Sequence, residues 1–367
     1  MAKVELQNIT KRFGKVTAIE NVNLTIQDGE FFCLLGASGA GKSTTINIIS
    51  GIEKADNGKV LINDRDITAA FPQERDIATA FESYALYPHF TVYRNLMFPL
   101  EAPERRRLFS KQSKEMQVIE VAKMLGIEEL LHRYPRELSG GQKQRVALGR
   151  TLVRRPQAYM LDEPIAHLDA KLRHRMRSEL KKIQKDLGIT TLYATPDQLE
   201  ALSMGDTIAV LNKGKLEQIG THDEIYYQPA NLYVATFVGD PPMNIFEVDY
   251  KGAYAIVKFD TPYRVPIPEK SRIMLAEKTG GRRLIIGIRP KDIRLVSPSD
   301  PSSHVGGEVI FLDTLGQTSI VTVRNKTNTI KVKINSNELP EMRSTVGLEF
   351  DVERFFYFDA ETAFRIG

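Results

Sequence analysis

The sequence predicts a mixed α/β domain followed by an all-β domain. In the first part, short apolar runs typical of strands alternate with stretches of helical periodicity, as in a parallel sheet flanked by helices. One run, Phe31–Leu35, leads into a glycine-rich turn and then a helix from Lys42 onward. Near residues 239–242 the composition changes. Strand-like runs that follow are Leu284–Ile288, 319–323 and 330–334.

We expect the α/β domain to occupy residues 1–239 and the β domain residues 240–367, because 367 residues suit two or three domains. Alternating polar and apolar positions predict short strands in the first 30 residues. A helical subdomain is predicted at about residues 83–155, with Met116, Ile119, Val121, Ala122 and Leu125 at helical spacing. A strand at 158–161, a helix at about 170–187 and a strand at 190–194 then restore the α/β alternation.

Composition excludes several classes of protein. The 50 basic and 46 acidic residues give a net charge of +4, which is too small to require a nucleic acid partner. The single cysteine, Cys33, excludes an internal disulfide framework and fits a reducing compartment. We expect no signal peptide and no membrane span, so that any membrane role would come through a partner.

The glycine-rich turn carries a phosphate-binding pattern. The segment Gly36, Ala37, Ser38, Gly39, Ala40, Gly41, Lys42, Ser43, Thr44 matches G-x-x-x-x-G-K-[ST] between a strand and a helix. Glycines let backbone amides surround phosphate oxygens, and the helix N-terminus adds partial positive charge. Lys42 can reach the β- and γ-phosphates, and the Ser43 hydroxyl can ligate Mg²⁺. The alternative is an ordinary glycine- and serine-rich turn.

Two carboxylates follow the apolar run at 158–161. Asp162 is placed to hold Mg²⁺, directly or through water. Glu163 can face an attacking water as general base. An Asp-Glu pair after a strand is often only the start of a loop, and it is the phosphate loop in the same chain that favours the catalytic interpretation.

The string Leu138-Ser139-Gly140-Gly141-Gln142 is the most specific pattern in the chain. Its serine and glycines open a predicted helix and expose amides suited to phosphate, although a plain serine N-cap would explain Ser139 alone. With this string the chain resembles the ATP-binding subunits of ABC transporters, and most closely the carbohydrate-importer branch with a C-terminal regulatory domain. The resemblance covers nearly the whole chain, including a string from Gly287 to Asp292 and the segment around Asp359.

The resemblance implies a P-loop domain with a helical subdomain, followed by a β regulatory domain similar to an oligonucleotide-binding barrel. It implies a head-to-tail dimer that sandwiches two ATP molecules with Mg²⁺. In such a dimer Ser139, Gly140, Gly141 and Gln142 serve the partner's ATP. Asp169 falls within a family-like string as a further nucleotide-site residue. Phe13 falls where the family stacks an aromatic ring on adenine, and the alternative for Phe13 is a core position.

The resemblance further implies two membrane-spanning permease subunits and, indirectly, an extracytoplasmic substrate-binding protein. The chain would then lie peripherally at the cytoplasmic face of the cell membrane.

Two positions depart from the family pattern. Glu82 stands where the family has a Mg²⁺-ligating glutamine, and it adds negative charge beside the phosphates. Pro196 stands where the family has a histidine that donates a hydrogen bond to the γ-phosphate. Proline has no such donor, but it is well suited to the first position of a helix. His167 is either a substitute for that histidine or a solvated or interface residue.

These departures suggest a chain that binds ATP and turns it over poorly, while its Ser139 helix completes an active site on a distinct partner subunit. The alternative is a homodimer that tolerates both changes. A different class of function, a non-hydrolysing nucleotide-binding regulator or scaffold, is favoured by Glu82 and Pro196 and opposed by the intact Glu163. A third, an ATPase acting on DNA or ribosomes, is disfavoured by the importer-like last third.

Two surface features have open interpretations. Tyr84, Tyr87, Phe90, Tyr93 and Phe98 make one segment rich in aromatic residues. It is either a docking site for the membrane subunits, as the resemblance implies, or part of the subdomain core. The predicted helix at 170–187 is strongly basic, and it is either a solvated face or a nucleic acid surface, of which we favour the first.

Overall fold

The computed structural model describes residues 2–81, 86–102, 110–258, 262–279 and 283–367. The chain divides into two compact units, Met1–His222 and Asp223–Gly367. The domain boundary near residue 240 stays a prediction from composition. Over the described ranges, no helix has both the length and the apolar character needed to cross a membrane.

The first unit contains two sheets. Its strands are β1 (Val4–Phe13), β2 (Val16–Ile26), β3 (Phe31–Leu35), β4 (Asn57–Ile62), β5 (Arg65–Asp66), β6 (Ile77–Ala80), β7 (Ala158–Asp162), β8 (Thr190–Thr195), β9 (Thr207–Asn212) and β10 (Lys215–Gly220). A four-stranded antiparallel sheet has the order β2-β1-β4-β5, and a six-stranded sheet has the order β10-β9-β3-β8-β7-β6. In the six-stranded sheet only the β9–β10 pair is antiparallel.

The helices of this unit are α1 (Lys42–Ser50), α2 (Val92–Met97), α3 (Lys111–Met124), α4 (Gly140–Leu152), α5 (Ala170–Leu187) and α6 (Gln198–Met204). Every residue of β3, β7 and β8 is buried, which explains why these strands read as unbroken apolar or small-residue runs. Their carboxyl ends carry the phosphate loop, Glu163 and Pro196. The predicted α/β fold is therefore confirmed.

The five apolar residues at helical spacing do not all lie on the buried side of α3. Val121, Ala122 and Leu125 are buried, whereas Met116 is 65% exposed and Ile119 is 45% exposed. The buried residues of the helix are Lys114, Gln117, Val118, Val121 and Ala122. Residue 116 lies about 200° around the helix from residue 118, so it points away from the core.

The second unit contains two five-stranded antiparallel sheets with one shared hydrophobic core. The first sheet has the order β13-β12-β11-β14-β20 and the second β15-β19-β16-β17-β18. The strands are β11 (Asn244–Tyr250), β12 (Tyr254–Val257), β13 (Tyr263–Pro266), β14 (Leu284–Ile288), β15 (Ile293–Val296), β16 (Val305–Leu315), β17 (Thr318–Asn325), β18 (Asn328–Asn335), β19 (Thr345–Phe350) and β20 (Phe356–Asp359). The helices are α7 (His222–Tyr227), α8 (Leu232–Phe237) and α9 (Glu269–Thr279).

Arg289 joins α7 and α8 to the β structure. Its side chain is almost completely buried, and its guanidinium donates hydrogen bonds to the carbonyls of Tyr226 (2.8 Å), Ala235 (3.0 Å) and Val238. It also lies 4.3 Å from the centre of the Tyr226 ring. A buried cation needs partners of this kind, so the string from Gly287 to Asp292 has a structural role here.

Candidate nucleotide-binding site

The phosphate loop links the buried end of β3 to the first turn of α1. Gly41 adopts φ +108°, and a side chain there would place its Cβ 2.7 Å from the carbonyl oxygen of Ala18. Only glycine suits this backbone conformation and this close approach. The amide of Gly36 donates to the Thr195 carbonyl at 3.4 Å, which ties the start of the loop to β8. The loop is therefore held open by packing against its neighbours.

Lys42 crosses the centre of the loop. Its ammonium group donates to the carbonyls of Gly36 (3.0 Å) and Ala37 (3.2 Å) and lies 3.4 Å from a carboxylate oxygen of Glu163. Only 4% of the side chain is exposed. A buried ammonium held by two carbonyls and one carboxylate supplies a fixed positive charge in the loop.

The two carboxylates follow β7 as predicted. Asp162 is the last residue of β7 and is buried. Glu163 adopts φ +47°, a strained conformation for a residue with a side chain. Its amide donates to the Ala194 carbonyl at 3.0 Å, so the neighbouring strand β8 fixes its backbone. In this conformation one Glu163 carboxylate oxygen lies 3.4 Å from the Lys42 ammonium.

A cavity of about 370 Å³ lies over the loop. Its lining residues are Val16, Thr17, Ala18, Ser38, Gly39, Gly41, Lys42, Ser43, Thr44, Glu163 and Lys213. The Ser43 hydroxyl lines this cavity and is a hard oxygen ligand of the kind that Mg²⁺ prefers. The Asp162 carboxylate is another such oxygen ligand, but it is buried at the end of β7 and is not among the lining residues. The open loop, its buried cation and this donor set fit a nucleotide polyphosphate with Mg²⁺.

Sequence reasoning missed Lys213 as a lining residue. Lys213 lies in the turn between β9 and β10 with φ +46°. The neighbouring Gly214 amide donates to the Ala40 carbonyl at 2.9 Å, which brings this turn to the phosphate loop. A Lys-Gly pair between two strands looks like any tight turn, so nothing in the sequence points to this position.

Phe13 ends β1 and is 47% exposed, so it is not a core residue. Its strand partner is Val16, which lines the cavity. The Lys11 ammonium lies 5.0 Å from the centre of its ring. Phe13 is therefore an exposed aromatic residue whose strand partner borders the cavity.

The helix α4 begins with a capping box. The Ser139 amide donates to Gln142 Oε1 at 2.9 Å, and the Gln142 amide donates to Ser139 Oγ at 3.4 Å. Ser139 and Gly140 are exposed. Among the described residues that line the cavity over Lys42, none comes from the segment 139–142. Ser139 therefore caps its own helix and is exposed, and it does not line the described part of this chain's cavity.

Asp169 also caps a helix. Its carboxylate accepts from the Leu172 amide at 2.9 Å at the start of α5, and the residue is exposed. His167, two residues earlier, is exposed and its amide donates to Gln144 Oε1 at 3.1 Å. Neither residue lines the described part of the cavity over Lys42.

Pro196 does not occupy the first position of a helix, which corrects the prediction from sequence. Helix α6 begins at Gln198, and Asp197 is its N-cap, accepting from the Leu199 amide at 2.8 Å. Asp197 takes the cap because its carboxylate satisfies an unpaired helix amide, so proline lies one residue outside. Pro196 is exposed directly after β8. Glu82, the other departure, lies outside the described residues, as does Tyr84.

Glu200 forms a buried network behind Pro196. Its Oε2 accepts from Tyr193 Oη at 2.8 Å and Thr195 Oγ1 at 2.7 Å. Burial raises the pKa of the Glu200 carboxyl above its usual range, against the opposing effect of these two hydrogen bonds.

We predict that Glu200→Gln stabilises the protein at alkaline pH. A raised folded-state pKa means that Glu200 supports folding below its unfolded pKa and loses that support as the pH rises through the folded value. An amide carries no charge to bury and keeps the two acceptor contacts. The gain in Tm over the natural chain should be a few degrees at pH 8 and should shrink as the pH falls to 5 in thermal denaturation. A gain that grows on acidification would contradict this.

Three of the aromatic residues pack together on the first unit. The ring centres of Tyr87, Phe90 and Phe98 lie 4.8–5.7 Å apart. Tyr87 is 37% exposed and Phe98 is 41% exposed. Tyr87 and Phe98, together with Phe81 and Arg150, border a cavity of about 260 Å³. The cluster is therefore a partly exposed surface rather than a closed core.

The basic helix α5 uses several of its cations internally. Arg173 donates to the carbonyls of Ala166 (2.9 Å) and Leu168 (3.2 Å), and Lys181 pairs with Asp206 at 2.6 Å. Met176, Leu180 and Ile183 form its buried stripe. These contacts agree with an amphipathic helix whose polar face is solvated.

The fold and the loop define a P-loop nucleotide-binding domain joined to a mainly β domain. A family model described as ABC transporter matches residues 19–166, and a model described as MalK OB fold domain matches residues 239–293. The trehalose/maltose import ATP-binding protein MalK of Thermococcus litoralis is 43% identical, with 99% of each chain covered. The sn-glycerol-3-phosphate import ATP-binding protein UgpC of Yersinia pseudotuberculosis is 38% identical, covering all of this chain and 99% of the relative.

A solved dimeric ATP-binding cassette, in a post-hydrolysis state bound to ADP and Pi, is 33% identical with a TM-score of 0.55. The similarity spans 60% of this chain and 98% of the solved chain. The chain belongs to the family of ATP-binding subunits of ABC importers, and it is an ABC-type ATPase that uses ATP with Mg²⁺. The resemblance drawn from the Ser139 string is confirmed.

Proposed function

We propose that this chain powers a carbohydrate or polyol importer, binds ATP in its own phosphate loop and hydrolyses it slowly. Its segment 139–142 would complete an active site on a distinct second nucleotide-binding subunit. The observation that carries the proposal is Pro196, a side chain without a hydrogen-bond donor at the end of the strand that fixes both the phosphate loop and the general base. The substrate class follows from relatives named for maltose, trehalose and glycerol phosphate import.

Binding of ATP is supported by the cavity over Lys42. The triphosphate would contact the loop amides and Lys42, while the exposed Phe13 ring would stack on adenine. Ser43 and Asp162 would hold Mg²⁺, which when bound neutralises charge on the phosphates. Glu163 would accept a proton from the attacking water.

Slow turnover is supported by the surroundings of Glu163. The Ala194 carbonyl accepts a hydrogen bond from the Glu163 amide, and the next carbonyl, of residue 195, accepts one from the Gly36 amide. Pro196 is the residue that follows these two contacts directly. By the family resemblance, a donor at this position would serve the γ-phosphate, and proline supplies none. Loss of one preorganised contact of this kind costs about 10²–10³ in rate. Glu82 would add negative charge to the same site by its sequence position.

Within an importer, this subunit would lie at the cytoplasmic face of the membrane beside two permease subunits. The cluster of Tyr87, Phe90 and Phe98 is a suitable docking surface, because exposed aromatic residues are enriched in protein interfaces. A substrate-binding protein outside the cell would deliver the substrate. Closure of the two nucleotide-binding subunits on ATP would drive transport, and hydrolysis would reopen them.

Replacing Ser139 tests whether this chain serves a partner's site. In the complex purified with its partner subunits, Ser139→Ala should lower ATPase at least about ten-fold, because a preorganised phosphate contact is lost. Ser110→Ala is the matched control, since Ser110 caps α3 by accepting from the Ser113 amide at 3.1 Å. Each change should weaken its helix by about 1 kcal/mol. Equal ATPase in the two variants would contradict the proposal.

The composition of that complex tests the partner directly. Intact-mass analysis should find a second, distinct nucleotide-binding subunit in equal amount. Two copies of this chain, with no other nucleotide-binding subunit, would overturn the heterodimer.

A further inference from the structure

We propose that Gln144 is a positioning residue for Glu163 and that it ties α4 to the general base of the same chain. The inference rests on the proposed roles of Glu163 and of the segment 139–142. Gln144 lies in the second turn of α4, three residues beyond Gly141, and only 4% of it is exposed.

The carboxamide of Gln144 contacts both ends of one short loop. Its Nε2 donates to the Glu163 carbonyl at 3.2 Å, and its Oε1 accepts from the His167 amide at 3.1 Å. Both contacts are to backbone atoms, so they fix the path of the loop. A buried glutamine that makes two such bonds is held in one orientation.

Glu163 needs this support because its backbone is strained. At φ +47° the residue occupies a conformation that persists only where surrounding contacts impose it. The Ala194 carbonyl holds its amide at 3.0 Å, and Gln144 holds its carbonyl. The direction of the Glu163 carboxylate toward Lys42 therefore depends on β8 from one side and α4 from the other.

The loop after Glu163 also lies near the start of α4. A Cβ placed on Gly141 would lie 3.6 Å from Leu168 Cδ2 and 3.7 Å from the His167 carbonyl oxygen, an ordinary van der Waals separation. The loop therefore runs beside Gly141 as well as beside Gln144. A shift of α4 when the segment 139–142 engages the partner's nucleotide would move the loop that carries this chain's base.

The test compares two buried glutamines. Gln144→Met conserves volume and removes both hydrogen bonds. Gln184→Met is the matched control, because Gln184 is equally buried and its Nε2 donates to the carbonyls of Gly29 (2.6 Å) and Ile189 (3.2 Å). Gln184 does not line the described part of the cavity over Lys42. Both variants should lose thermal stability to a similar extent.

Single-turnover hydrolysis of radiolabelled ATP is followed for several hours, with the full chain in excess of ATP. It is measured in the natural and the Pro196→His backgrounds. Gln144→Met should lower the rate constant by about ten- to a hundred-fold, as misplacement of a reacting group does, and should change the Kd for ATP less than two-fold. Gln184→Met should change neither. Gln144→Glu, which keeps the acceptor for His167 and loses the donor to Glu163, should give an intermediate rate and serves if the methionine variant does not fold.

Equal rate constants for Gln144→Met and Gln184→Met would overturn the proposal, as would a parallel loss of nucleotide binding. Absence of hydrolysis in both backgrounds would also overturn it, because no base would then need positioning. Fast turnover by the natural chain would instead contradict slow hydrolysis and leave the comparison of the two glutamines intact.

Discussion

Lys42→Ala is expected to raise the Kd for ATP at least about a hundred-fold, since charge-assisted contacts to phosphate are among the strongest in proteins. Lys42 is fixed by two loop carbonyls and by Glu163 at 3.4 Å, so its charge is already in place before a ligand arrives. Alanine would also leave the Glu163 carboxylate without this cation. The loop would lose both the charge that attracts the triphosphate and the two hydrogen bonds to the Gly36 and Ala37 carbonyls.

The measurement is the rise in Tm on adding ATP with Mg²⁺. A ligand at a thousand times its Kd stabilises a protein by about 4 kcal/mol, and a hundred-fold weaker Kd removes more than half of that gain. Lys59→Ala is the control, because Lys59 is an exposed residue of β4 that pairs only with Asp66 of β5 among the described ion pairs. If ATP raised the Tm of the Lys42→Ala variant as much as that of the natural chain, the nucleotide would have to bind elsewhere.

Pro196→His should raise turnover of the purified chain at least about ten-fold, and by up to about 10²–10³ if it restores a whole preorganised contact. The change is structurally mild, because Pro196 is exposed and Asp197, not Pro196, caps α6. The new imidazole would follow β8 directly, next to residues that already hold Glu163 and the phosphate loop.

Pro301→His, at an exposed position in the second unit, controls for the loss of a proline. Adding Glu82→Gln to Pro196→His should raise turnover further, because it removes a negative charge beside the phosphates. If Pro196→His leaves turnover unchanged, the missing donor is not what limits this site.

The sequence predicted the parts of the fold that local patterns determine. The run Phe31–Leu35 could be recognised as a central strand because a parallel strand buried on both faces is apolar throughout. Gly41 could be recognised as a loop residue because only glycine fits the backbone there. In α3 the helical spacing of the apolar residues was recognised, but it did not identify which of them are buried. Apolar residues such as Met116 also occur on exposed faces, and helical spacing alone does not say which stripe meets the core.

The parts of the site that escaped prediction depend on tertiary contacts. Lys213 reaches the cavity through a turn of β9 and β10 that packs on Ala40, and its neighbours in sequence carry no sign of this. Gln144 contacts residues nineteen or more positions away along the chain. The strain at Glu163 is likewise imposed by β8 and α4 rather than by the local sequence. Position 196 could be identified from sequence, but its place outside α6 could not.

The most direct test of the account is ATP binding and turnover by the natural chain on its own, measured on one preparation. We predict saturable binding of ATP with Mg²⁺, abolished by Lys42→Ala, together with turnover at least about a hundred-fold below the ~1 s⁻¹ that marks the lower end of ordinary enzymes. Turnover of about 1 s⁻¹ or more by the chain alone would contradict the claim that its own site is impaired.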